Sequence, residues 1–459
     1  MMAQRERLQK FYSRLPLENA DVVLHFGWGR GDCGEILRQR AKAGARVIVF
    51  EPDEDAFRQS TPPDDARFQF VVGSNVPHFF DNWGLGEFQE TDQFLWVEQQ
   101  HGPLADALKL QFKTHLRDRA ANLLTHFQNG EKYFENAIRN FEYQRDADAG
   151  RLFGKFRNIP LIIVSAGPSL NLNIHHLRGI EDRCFVLSVD TALRPLLAAG
   201  VRPHAVITAD PSELNAQHIA GVMPDSSYLI AEQTVHPDAL QSGQRRFLFG
   251  LGLFPDSLFA KYGFGKTRLE AWGSVATTAL DLACRMGANP IIFAGQDFAY
   301  SWNRDYASNT IYHSNWFDVH ESGTARARDI YGGEAYTTEN LIAYRDFFVR
   351  RMKQSANVRF INATEGGILT EGAEIAKLKD ALAQHCVRPV DTTDRLRTCY
   401  RASNVSRTAL QHLKQALAER RTNCGCLGDF LELTAKKHLL RKETLEIDRV
   451  ILRGVQCLP

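Results

Sequence analysis

The residues best suited to chemistry cluster in a few stretches. The first is Ser165–Leu170, a small-residue loop that directly follows the apolar run Leu161–Val164. Gly167 permits close backbone approach, Pro168 suits a first helical turn, and Ser169 can cap it. Free amides at such a helix start could hold a phosphate. No Gly-Lys-Ser/Thr follows, so it is not a Walker loop. Asp190 and Asp210 each close an apolar run, where an acid can meet a ribose hydroxyl or a metal. Gly273 and Ser274 precede an amphipathic stretch and form a second candidate anion site. Gln296 and Asp297 follow Ile291–Ala294 and could read a base or a sugar. The polar, aromatic stretch 298–340 carries Tyr306, Tyr312 and His313. The tyrosines could donate to a leaving phosphate, and His313 could serve as a base near neutral pH. Glu365, in the Asn362–Gly367 turn, is an alternative acid or base.

These stretches need a scaffold of parallel strands. From 160 to about 365, short apolar runs alternate with helical patterns, predicting a doubly wound, mostly parallel sheet covered on both faces. Ligands of such sheets sit at the carboxyl ends of the strands, and three of these strands end in an Asp. Residues 21–51 read as strand, glycine turn, helix and strand, with Gly27, Gly29, Gly31 and Gly34 ahead of Glu51. This Rossmann-type half suits nucleotide or S-adenosylmethionine binding, or a structural domain that retains its turn glycines. The structural reading is preferred, because nothing catalytic follows in the next fifty residues. Helical spacing marks 104–150, and the C-terminal part offers helices over 374–384, 406–421 and 429–441. The division expected is an N-terminal Rossmann-like domain (1–103), a helical linker (104–155), a central domain (156–372) and a C-terminal helical region (373–459).

A chain of 459 residues with 44% hydrophobic residues can bury a core without covalent staples. The net charge of +1, with acids and bases interspersed, argues against nucleic acid as the main partner. No apolar run is long enough to span a membrane, and the polar start lacks a secretory pattern. Eight scattered cysteines suit a reducing, cytoplasmic setting. Cys424 and Cys426 are close, but no further ligands complete a zinc site around them.

The blocks Pro160–Leu170, Val189–Gly200, Val206–Ser212, Gly273–Ala283, Gly295–Tyr300 and Asn362–Gly367, in this order, resemble the motility-associated-factor (Maf) flagellin glycosyltransferases. These share a core with archaeal 6-hydroxymethyl-dihydropterin pyrophosphokinases. The resemblance is specific over about 156–372. Trp272 stands where a second glycine is often found, and the C-terminal region is shorter than in many relatives. The resemblance implies a central sialyltransferase-like domain. It also implies transfer of a nonulosonic acid, pseudaminic or legionaminic, from a CMP-activated donor to Ser or Thr of flagellin. No metal cofactor is expected, although a divalent ion is compatible. Loss of Asp297 or of the Gly167–Pro168 turn is expected to abolish transfer with folding intact. The competing functions are ATP-dependent pyrophosphorylation of a pterin, using Asp190 and Asp210 with magnesium, and a non-catalytic flagellin-binding scaffold.

Overall fold

The computed structural model describes residues 2–80, 93–252, 254–312, 318, 323–401 and 408–417. Contacts divide the chain into two units, 1–123 with 423–459 and 124–422. The helix Pro103–Arg139 begins in the first and ends in the second.

In the first unit, β1 (Val22–Phe26), β2 (Arg46–Glu51), β3 (Phe68–Val72) and β4 (Phe94–Glu98) form a parallel sheet in the order β3-β2-β1-β4. Alternate residues enter opposite cores. Val23, Val47, Val49, Leu95 and Val97 face one, and Val22, Leu24, Ile48, Phe50 and Trp96 face the other. The glycine turn is filled by the protein itself. The Glu51 carboxylate accepts from the backbone amides of Trp28 (2.7 Å), Gly29 (2.8 Å) and Asp53 (2.9 Å). The Trp28 ring is fully buried beneath the turn, and a Cβ on Gly34 would lie 2.8 Å from it. The acid that could have met a ribose is spent on its own loop, which is the physical basis of the structural reading.

In the second unit the strands are β5 (Ala147–Asp148), β6 (Leu161–Val164), β7 (Phe185–Val189), β8 (Ala205–Thr208), β9 (Tyr228–Glu232), β10 (Arg246–Phe249) and β11 (Ile291–Ala294). An antiparallel hairpin, β12 (Thr324–Arg328) and β13 (Glu334–Thr338), interrupts the sequence. Then come β14 (Phe360–Asn362) and β15 (Glu374–Ile375). Apart from the hairpin they make one parallel nine-stranded sheet, ordered β15-β14-β11-β6-β7-β8-β9-β10-β5. β6 to β10 run outward in one direction and β11 returns to the other side of β6. The strand order therefore reverses between β6 and β11, the place where such sheets open a crevice.

All four residues of β6 and of β11 are buried, as central strands require. Each such aliphatic side chain contributes roughly 1.5–3 kcal/mol. The helix Val275–Met286 packs against β6, β7 and β8, its alanines and threonines allowing close approach. Gly287 ends it in the left-handed conformation, φ 78°.

Three elements differ from the sequence reading, the first being Ala147–Asp148, which lies in the stretch 104–150 read as helical but pairs with β10 as the edge strand β5. Residues 374–384 were expected as one helix, but Glu374 and Ile375 pair with β14 as an edge strand and the helix is Leu378–His385. Both residues of this edge strand are exposed, so no burial pattern marks them. The hairpin in 298–340 has a mostly half-exposed pattern and gave no alternation signal. Residues 408–417 are helical, whereas 429–441, Cys424 and Cys426 lie outside the described residues.

Candidate active site at the strand ends

The crevice between β6 and β11 is locked. The Ser165 hydroxyl donates to Gln296 Oε1 at 2.6 Å, and the Gly167 amide donates to the Gly295 carbonyl at 2.8 Å. Asp297 accepts three bonds, from the Ser169 hydroxyl (2.6 Å), the Ser169 amide (3.2 Å) and the Ser301 hydroxyl (2.6 Å). The Gln296 amide reaches Thr364 Oγ1 at 3.2 Å. Ser169 makes no side-chain cap, and the helix after it, Leu170–Asn173, is a single turn. The Leu170 amide is bound to the Gly167 carbonyl at 3.0 Å. The anion held by this turn is therefore the protein's own Asp297. Pro168 supplies no amide. Burial pushes the Asp297 carboxyl up to about 6, against the pull of its serine donors. Removing Asp297 would leave buried donors unmatched, so its loss is expected to cost stability. The expectation of intact folding is corrected on that ground.

The neighbouring strand ends carry a second group of side chains. Asp190, just beyond β7, is buried and accepts from the Thr191 amide (2.7 Å), Thr208 Oγ1 (2.9 Å) and Asn215 Nδ2 (2.9 Å). Burial is the main cause that raises its carboxyl to about 6. Asp210, beyond β8, is exposed, and its carboxylate accepts from the Ser212 amide at 2.7 Å. Tyr306 and Tyr312 stack with ring centres 4.5 Å apart and planes at 19°. Their hydroxyls are hydrogen-bonded to each other, and burial is the main cause that pushes both away from ionisation, with Tyr312 next for Tyr306 and Asp190 a lesser contribution to each. The tyrosines thus stand within the field of Asp190 as un-ionised phenols.

Sequence reasoning missed four residues here: Thr208, Asn215, His218 and Glu232. The His218 ring stands 5.4 Å from that of Tyr312, edge to face. It is buried, both ring nitrogens lack a partner, and burial pushes it down to about 4. Glu232 ends β9 as Asp190 follows β7, and the strand-end rule finds it once β9 is extended by one residue. Its Oε2 accepts from the Thr234 amide (2.6 Å) and hydroxyl (2.5 Å). Desolvation, then the field of Asp256, pushes it up to about 8. The Pro103–Arg139 helix steadies these loops. Asn136 Nδ2 donates to the carbonyls of Pro211 and Thr234, both at 2.9 Å.

Glu232 carries a prediction. Its carboxyl keeps a proton in the folded chain at pH values where the unfolded chain has released it. The resulting stability is whole below the ordinary Glu range and is lost as pH rises through about 8. Asp190 and Asp297 add a fall that ends near 6. Glu232→Gln is expected to flatten the decline in Tm between about pH 6 and about pH 9 and to raise Tm at the alkaline end. Thermal melts across that range check it. A parallel decline in variant and parent would show that Glu232 is ionised when folded.

Of the remaining sequence candidates, Gly273 and Ser274 precede the Val275–Met286 helix, and Glu365 sits in the turn whose Thr364 meets the Gln296 amide. Gly273 has φ 68° and is packed against the Tyr344 ring, where a Cβ would come within 2.6 Å of Cε1. Ser274 precedes the Val275–Met286 helix without a side-chain cap bond. Glu365, at φ 61°, accepts from the Leu378 amide (3.1 Å) and Asn173 Nδ2 (3.2 Å), joining the helix Leu378–His385 to the turn after β6. His313 lies outside the described residues. Among the described residues, no helix is long and apolar enough to cross a membrane.

Residues 135–303 match a family model described as 6-hydroxymethylpterin diphosphokinase MptE-like. An uncharacterized protein of Treponema pallidum (strain Nichols) is 28% identical over 193 residues, which cover 40% of this chain and 33% of that protein. The chain thus spans about a third of the length of this curated relative. The solved Maf glycosyltransferase of Magnetospirillum magneticum AMB-1 superposes with a TM-score of 0.56 at 18% identity. That likeness covers 98% of this chain and 76% of the other. The chain therefore has a Rossmann-like α/β fold of the Maf glycosyltransferase kind, built around an MptE-like core.

Proposed function

We propose that the chain is a glycosyltransferase that moves a nonulosonic acid, of pseudaminic or legionaminic type, from a CMP-activated donor to a Ser or Thr of flagellin. The observation that carries this reading is the stacked Tyr306–Tyr312 pair beside Asp190, next to the point where the strand order reverses. Un-ionised phenols at that edge suit a departing phosphate that gains charge as its bond to the sugar breaks. The likeness of fold to a Maf glycosyltransferase supports the same reading.

In this scheme the sugar–phosphate bond breaks through an oxocarbenium-like state. A bond forms from the sugar to the acceptor oxygen, and CMP leaves with the bonding pair. A base takes the acceptor hydroxyl proton, and His313 is the candidate. Asp297 acts through the turn it holds, and Asp210, exposed beside Asp190, is free to meet a ribose hydroxyl.

Melting the protein against CMP, CDP, UDP, GDP and ATP tests the donor class. A ligand that binds only the folded state raises Tm by mass action, and CMP at one hundred times its Kd would add about 2.7 kcal/mol. A shift with CMP alone is the expected result. A shift with ATP alone would favour the second reading, pyrophosphoryl transfer to a pterin through Asp190 and Asp210. That reading rests on the MptE-like match over 135–303. No shift with any of the five would remove the nucleotide site.

A further inference from the structure

Beside the tyrosine pair lies an open cleft of about 630 Å³, between the helix Leu193–Ala198, the residues Gln217, Ala220 and Val222, and the loop 309–311, with His218 buried next to the lining residue Gln217. Its walls combine apolar side chains, Leu197, Val222 and Ile311, with the Arg194 side chain. We propose that this cleft is an anion subsite, in which Arg194 and His218 hold a carboxylate or phosphate of the bound substrate. Its use in catalysis rests on the transferase reading above, whereas its existence does not.

Three observations carry the assignment. Arg194 is fixed by its own backbone contacts, with Nε and Nη2 donating to the Gln217 carbonyl at 3.1 and 2.8 Å and Nη2 to the Ala220 carbonyl at 3.2 Å. Among the described residues no carboxylate pairs with it, so a half-buried guanidinium keeps its charge on offer at the cleft. A guanidinium held in this way meets a carboxylate or a phosphate with little ordering cost.

The second observation is the orphaned imidazole. Buried polar groups in folded chains nearly always have partners, and those that lack them call for a missing one. His218 is fully buried with both nitrogens unmatched, stands within the field of Arg194 and touches Tyr312. Thr310, which lines the same cleft, also has a buried hydroxyl without a partner. The third is the apolar wall, which suits a ring or carbon chain attached to the anion. An oxygen at the inner end of the cleft supplies what these groups lack. The neutral His218 ring then donates one N–H to it.

Calorimetric titration at low salt with cytidine, CMP and N-acetylneuraminate tests the proposal. If the anion is phosphate, the parent binds CMP at least about tenfold more tightly than cytidine, and Arg194→Gln brings the two together. If it is carboxylate, the parent binds N-acetylneuraminate and Arg194→Gln weakens this by about tenfold or more. Arg194-dependent binding of N-acetylneuraminate with no uptake of cytidine or CMP would sink the nucleotide reading and leave the subsite standing. His218→Leu removes two unmatched buried nitrogens. It is expected to melt higher than the parent without ligand and to bind the anion at least about fivefold more weakly. Unchanged affinities in both variants, or a parent that binds neither anion, would overturn the proposal.

Discussion

Gly167→Ala is expected to destabilise the second unit by about 3 kcal/mol and to abolish transfer. For a unit of this size, that corresponds to a fall in Tm of roughly 5 °C. A Cβ at this position would lie 2.1 Å from Asp297 Oδ1 and 2.5 Å from the Gly295 carbonyl oxygen. Neither can yield cheaply. The carboxylate is tied to Ser169 and Ser301, and the carbonyl accepts the Gly167 amide itself. Space, rather than a left-handed backbone, is what demands glycine here. Circular dichroism melts and a transfer assay with a CMP-activated sugar check the result. A variant with parental Tm and rate would mean that the β6–β11 crevice is open in solution.

Tyr306→Phe and Tyr312→Phe are each expected to lower kcat by about 10²-fold with little change in KM. Each substitution removes a hydroxyl and keeps the ring, so the stacking at 4.5 Å can persist. Burial is the main cause that opposes ionisation of both, and since one hydroxyl donates to the other, the second keeps its proton available for donation. The hydroxyls are bonded to each other, so the double variant should lose less than the product of the single losses. Parental rates in both single variants would place the leaving phosphate elsewhere on the sheet edge.

Much of the frame was legible before any coordinates. Leu161–Val164 and Ile291–Ala294 are short, wholly apolar runs, and Phe185–Val189 is apolar but for Ser188, the pattern of strands in a sheet buried on both faces. Their alternation with helices dictated parallel strands, and parallel strands put Ser165, Asp190 and Asp297 on one edge. The edge strand Glu374–Ile375 was hidden because backbone pairing, not burial, holds it in place.

Which partner each polar group takes could not be read from residue type. An aspartate at a strand end can bind a ligand or a neighbouring loop, and the choice depends on distances set by the strand order. The adjacency of β11 to β6 brings Asp297 onto Ser169, which turns a candidate ligand group into a lock. The same geometry spends Glu51 on the glycine turn it follows in the first unit. His218 shows the converse. Nothing in its local sequence marks it, and only the approach of Tyr312 across the chain leaves its ring buried without a partner. Periodicity and apolar runs are local properties, so sequence alone determined the central buried strands and the edge they share. Hydrogen-bond satisfaction joins residues far apart in the chain, so only the tertiary structure decided which side chains on that edge are spent and which remain for a ligand.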